Sequence, residues 1–114
     1  MGLSNIVPVA SVADLQAALR GKLLDVVLLY DVIHHYYFTE RQRRSLLCSL
    51  AAMLANPGLV SIFPKHMEPM AIRQLHGDMK RLGLPLENRR SSELIHDGGY
   101  DRGFVLNFRA PNRV

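Results

Sequence analysis

The sequence has little of what marks several common protein classes. It contains a single cysteine, Cys48. One thiol cannot close an internal disulfide, which excludes a cystine-stapled scaffold and leads us to expect a reducing, cytoplasmic setting. No apolar run approaches the roughly 20 residues of a membrane span, and no signal-peptide pattern opens the chain, so no membrane partner is expected. Tryptophan is absent and aromatic residues make up only 7%. They are not interleaved with basic residues on one surface, as in nucleic-acid-binding modules, so a nucleic-acid partner is not expected either. Repeats, low-complexity tracts and linkers are also missing.

What remains is an ordinary globular composition, 48% hydrophobic and 21% charged over 114 residues, enough for one domain over residues 1–114 with a modest core. The formal net charge is +4. Arg41, Arg43 and Arg44 form one basic patch and Arg89 with Arg90 another, each read as a solvated face.

Periodicity and caps predict the elements. Residues 5–9 (NIVPV) are short and β-branched and predict a strand. Ser11-Val12-Ala13-Asp14 predicts a helix start with Ser11 as N-cap; Val12, Leu15, Ala18 and Leu19 share a face, and Gly21 ends the helix. Residues 25–30 (DVVLLY) form a valine-rich run too short for a buried helix. That is the pattern of a strand covered on both faces, as in a parallel sheet. Thr39-Glu40-Arg41-Gln42 matches a capping box, Leu46, Leu47, Leu50, Ala51 and Leu54 follow at helical spacing, and Asn56-Pro57-Gly58 is predicted to stop the helix. Residues 59–63 (LVSIF) predict another buried strand. A third helix should start near Pro69, bury Ile72, Leu75, Met79 and Leu82, and end at Gly83. Residues 86–94 (LENRRSSEL) read as an exposed edge strand, His96-Asp97-Gly98-Gly99 as a turn, and Phe104, Leu106 and Phe108 as one side of a period-two strand. The order βαβαβαββ predicts an α/β fold: a three-layer, mostly parallel, Rossmann-like sheet of about five strands with a C-terminal antiparallel hairpin.

Three stretches, "LLDVVLLYDVIHH", "AAMLANPGLVSIFPKHM" and "LIHDGGYDRGFVLNFR", resemble the C-terminal half of the class I S-adenosylmethionine-dependent methyltransferase domain. They look like its fourth strand and following loop, its helix, Pro-Gly turn and fifth strand, and its terminal hairpin, over residues 22 to 110. Residues 5–15 are similar to its third strand and acidic loop. The glycine-rich loop after the family's first strand and the acidic residue ending its second strand have no counterpart here. Where the family usually has Gly-Asp-Ala, this chain has Ala10-Ser11-Val12. Gly98, Gly99 and Gly103 precede a strand, so they do not replace the missing loop.

The resemblance implies S-adenosylmethionine as cofactor, with Tyr30, Asp31 and Val32 beside its methionine portion and Ser11 and Val12 at the adenine side. It also implies that the loop bearing His34 and His35 faces the transferred methyl group, with Tyr36, Tyr37, Lys65 and His66 toward the substrate. Histidine, with an ordinary pKa of about 6.5, can take a proton from a hydroxyl or amine; His35 is the first choice as base, His34 the second. Either histidine can instead anchor its turn through a backbone carbonyl. Asp31, one of these histidines and His66 offer a mixed nitrogen–oxygen ligand set, but no HExxH-type spacing exists and no metal is expected. Ser45, Cys48 and Ser49 lack a histidine placed to activate them.

A chain without the cofactor loop is expected to be a methyltransferase-like domain that is incomplete and weak or inactive alone. The alternative is a non-catalytic association module. In both cases the open edge of strand 25–30 calls for a neighbour: residues 5–9, a second copy in a homodimer, or a partner chain completing the sheet.

Overall fold

Each helix starts at a local signal. Ser11 caps α1 (Val12–Leu19), accepting the backbone N–H of Asp14 at 3.1 Å. Thr39 and Gln42 exchange bonds of 3.1 and 2.9 Å across a complete capping box that opens α2 (Glu40–Ala52). Pro69 sits in the first turn of α3 (Pro69–Arg81), where its missing N–H costs nothing. The computed structural model describes residues 5–96 and 98–111. Its strands are β1 (Leu24–Tyr30), β2 (Leu54–Phe63), β3 (Leu86–His96) and β4 (Gly99–Arg109).

The strands form one sheet in the order β1-β2-β4-β3. β1 and β2 are parallel through the α2 crossover, with Val27 opposite Val60 and Tyr30 opposite Phe63. β4 runs antiparallel to both β2 and β3, so the C-terminal hairpin inserts its second strand against the parallel pair. Val27, Leu29, Val60, Ile62, Leu106 and Phe108 form one face, and with Leu47 and Leu50 of α2 and Leu75 and Met79 of α3 they make a single core. Burying side chains of this size contributes about 1.5–3 kcal/mol each. Val12, Leu15 and Leu19 of α1 pack at its margin.

The α/β class and the terminal hairpin are as the sequence predicts, but several details differ. Residues 5–9 form no strand and are exposed; Pro8 among them has no N–H to offer a ladder. The sheet therefore has four strands, one pair parallel and two antiparallel. α2 stops at Ala52, and Asn56-Pro57-Gly58 lies inside β2, where the pairing jumps from Leu24–Leu54 to Val26–Leu59. Arg43 is buried rather than solvated, at the same helical face as Leu47 and Leu50. The predicted turn at residues 96–99 includes Asp97, which lies outside the described residues.

The largest difference concerns layers. All three helices contribute to the core on one face of the sheet, so the described chain makes two layers where three were expected. β1 is covered on that face only. Val26 is 52% exposed and Leu28 61%, on the outer face where a buried parallel strand would have a second cover.

Candidate functional site

Because β1 and β2 are parallel and in register, the residues after Tyr30 and Phe63 leave the sheet side by side. The N–H of Asp31 donates to the carbonyl of Phe63 at 3.1 Å, which extends the ladder by one residue. There the chain turns sharply: Asp31 has φ 57 and, on the neighbouring loop, His66 has φ 63. The left-handed region costs an L-residue about 1–2 kcal/mol, and aspartate is among the residues that tolerate it. The loop after Asp31 winds on two buried residues, Ile33 and His34, and the His34 carbonyl accepts the N–H groups of Tyr37 and Phe38 at 3.2 and 3.1 Å.

These turns bring three side chains together. Asp31 Oδ1 lies 2.9 Å from His66 Nδ1 and 3.3 Å from His34 Nε2. The Tyr36 N–H donates to His34 Nδ1 at 3.3 Å, so this nitrogen carries no proton and Nε2 does. His34 thus has both ring nitrogens engaged and presents an N–H toward the carboxylate. His66 donates Nδ1–H to Asp31, which leaves Nε2 as its basic nitrogen. Rings stack around the cluster: Tyr37 lies 4.8 Å and His66 5.3 Å from the His34 centroid, and Tyr36 lies 5.5 Å from that of His66. A base oriented by a carboxylate is the arrangement general base catalysis needs.

The ligand atoms of Asp31, His34 and His66 all lie within 4.8 Å of one another, near enough to converge on a cation. The hydrogen bonds oppose it. A metal-bound histidine ordinarily donates its other N–H to a carbonyl or carboxylate, whereas His34 Nδ1 accepts one. The cluster suits proton handling better than metal ligation.

The remaining residues singled out from sequence are distributed as follows. Tyr30 turns to the outer face, where its hydroxyl meets Ser61 Oγ at 2.9 Å. Val32 packs against the core. Ser11 is engaged as the α1 cap and Val12 at the core margin. Tyr36 and Tyr37 are exposed. His35 is exposed, lies 4.2 Å from the Tyr36 ring, and lines a small cavity with Arg43, Met67 and Glu68, apart from Asp31. Lys65 and His66 line a second, larger groove whose far wall is the β3–β4 hairpin. That wall, which includes Arg89 and Phe104, is not among the site residues expected from sequence. Its signal was present as an arginine and an alternating aromatic on strands predicted to pair.

Tyr30, Asp31, Val32, Ser11 and Val12 line neither of the two cavities just described. Of these residues Tyr30 and Asp31 stand at the β1 tip, beside the exposed outer face of that strand.

No protein-family model and no curated protein matches the sequence. Solved structures do match. The N-methyltransferase NodS from Bradyrhizobium japonicum WM9 superposes with a TM-score of 0.55 at 16% identity, over 81% of this chain and 53% of that one. This chain has a methyltransferase fold. A S-adenosylmethionine-dependent methyltransferase from Methanosarcina mazei matches with a TM-score of 0.57 at 11% identity, over 78% of this chain and 60% of that one. NodS in complex with S-adenosyl-L-homocysteine matches at 0.53 and 17% identity, over 81% and 48%. The chain therefore spans about half the length of the solved structures it matches, and at these identities the likeness is one of fold. Within this methyltransferase fold, the Asp31 cluster occupies the joint tips of the parallel pair, the edge where ligands of open α/β sheets bind.

Proposed function

We propose that this chain is a S-adenosylmethionine-dependent methyltransferase-like domain that carries the acid–base side of a methyl-transfer site. The observation behind this reading is the Asp31–His66 bond at the tips of two parallel strands in a methyltransferase fold. When bound, the cofactor supplies an electrophilic methyl group on a sulfonium. Tyr30, Asp31 and Val32 would hold its methionine end, with Ser11 and Val12 toward the adenine. His66 takes the proton of the acceptor hydroxyl or amine at Nε2, and Asp31 stabilises the imidazolium through Nδ1–H. His34 steadies the carboxylate from its buried position. Because methyl transfer depends chiefly on alignment, the flanking rings of Tyr36 and Tyr37 serve to orient the acceptor. His66 takes precedence over His35 as base, since Asp31 holds His66 and no carboxylate among the described residues bonds His35.

The exposed Val26 and Leu28 support a second element of the reading: β1 is completed by another polypeptide, a second copy or a partner chain, which covers the outer face and closes the cofactor site. The same exposure favours the alternative of a non-catalytic association module. Calorimetric titration with S-adenosylmethionine and S-adenosylhomocysteine separates the two. Saturable micromolar binding by the chain supports methyl transfer. No binding at millimolar cofactor would leave association as the use of the fold.

A further inference from the structure

We infer that the groove between α3 and the β3–β4 hairpin binds an anionic amphiphile, a molecule with a flat or extended apolar body and a carboxylate at one end. The groove has a volume of about 420 Å³, within the range of about 300–1,000 Å³ typical of small-molecule sites. Its apolar lining comes from Phe104 and Leu106 on the sheet and Ile72 on α3. Its polar lining is basic throughout, with Lys65, Arg89 and Arg102 at the rim and His66 and His76 on the helix side; among the described residues no carboxylate lines it. A groove that is greasy below and cationic above is complementary to an amphiphilic acid and to neither a sugar nor a cation.

Arg89 decides where the acid group goes. Arg102 is already engaged, its Nη2 lying 2.7 Å from Glu93 Oε1. The Arg89 guanidinium instead lies over the Phe104 ring, its Cζ 3.8 Å from the centroid, and has no carboxylate partner among the described residues. The cation–π contact holds the guanidinium at the groove and leaves N–H donors for a bidentate carboxylate. Phe104, half exposed, provides the adjoining apolar surface.

His66 lines this groove and is also bonded to Asp31. A body anchored at Arg89 therefore points its other end toward the proton-accepting group. This deepens the methyl-transfer reading and rests on it only for making the bound acid the methyl acceptor; binding itself requires no cofactor.

The test is titration of the full chain, without cofactor, with 2-naphthoate and with the uncharged 2-naphthylmethanol, followed by residue-resolved NMR. Saturable one-site binding of naphthoate is expected, with shifts centred on Ile72, Phe104 and Leu106. The alcohol should bind about tenfold more weakly, as should naphthoate to Arg89→Gln, since a charge-assisted bond of this kind is worth at least a factor of ten. Arg89 is exposed, so the substitution leaves the fold in place. Arg90→Gln, whose side chain leaves the sheet on the opposite face opposite Val105, should change nothing. Equal affinity for acid and alcohol, indifference to Arg89→Gln, or shifts outside the groove would each overturn the inference. Naphthoate binding in a chain that ignores S-adenosylmethionine would leave the groove standing and remove methyl transfer; the reverse result would do the opposite.

Discussion

Asp31 Oδ1 and His66 Nδ1, 2.9 Å apart, join the tips of β1 and β2 across two residues that both hold left-handed backbone. The pair is local to neither strand, since the two residues are separated by α2 and the whole of β2. Register places them: Tyr30 lies opposite Phe63, and each chain turns within three residues of that pair. A sharp turn at each tip brings the two side chains together over the sheet edge.

Asp31→Ala should therefore cost stability. It removes the acceptor facing two histidines, one of them buried, and should lower the unfolding free energy by about 1–3 kcal/mol. Asp31→Asn retains an oxygen and a residue that tolerates positive φ, and should stay within about 1 kcal/mol of the parent. Urea denaturation of the three proteins reads the difference; an alanine variant as stable as the parent would contradict the assigned contacts.

Gly103 is expected to resist substitution. A Cβ there would stand 2.5 Å from Phe63 Cε1 and 3.1 Å from Cζ, and Phe63 is buried. Gly103→Ala should cost about 1–3 kcal/mol through overpacking, and Phe63→Leu in the same chain should recover part of the loss. Thermal unfolding of the single and double variants reads this, and a neutral Gly103→Ala would mean that the hairpin crosses β2 less closely.

Arg43 is a buried cation whose described bond goes to neutral Gln74 Oε1, at 3.2 Å, and whose Nε has no partner. Replacing such a charge with an apolar chain of similar length is often neutral or stabilising by about 1–4 kcal/mol. Arg43→Met should equal or exceed the parent in denaturant midpoint. A loss above about 2 kcal/mol would point to an anionic partner for this guanidinium.

Much of this was legible, and the exceptions differ in cause. The Thr39–Gln42 box and the start at Pro69 are local signals, so they fell where the sequence placed them. Arg43 could have been found, since it precedes Leu47 and Leu50 by four and seven residues on one helical face. The insertion of β4 between β2 and β3 could not, because period-two alternation says nothing about which strand is the neighbour. His34 and His35 look equivalent as a dipeptide, yet the turn after Asp31 buries the first and exposes the second. Val26 and Leu28 are the informative mismatch: their run has the character of a strand covered on both faces, and the described chain covers one.

That mismatch predicts association. The parent chain should show a mass that rises with concentration in sedimentation velocity, or a stable complex with a partner that completes β1. Leu28→Lys, on the uncovered face, should leave stability within about 0.5 kcal/mol while reducing the mass to that of a monomer. A parent that is monomeric at every concentration would remove self-association.

The most direct measurement of the proton relay is the tautomer of each ring, read from long-range ¹H–¹⁵N correlations at a pH where both imidazoles are neutral. Expected are His34 protonated at Nε2 and His66 protonated at Nδ1, with the His66 preference lost in Asp31→Ala. His66 protonated at Nε2 in the parent chain, or a His66 pattern indifferent to Asp31→Ala, would contradict the assignment of His66 as the base that Asp31 holds.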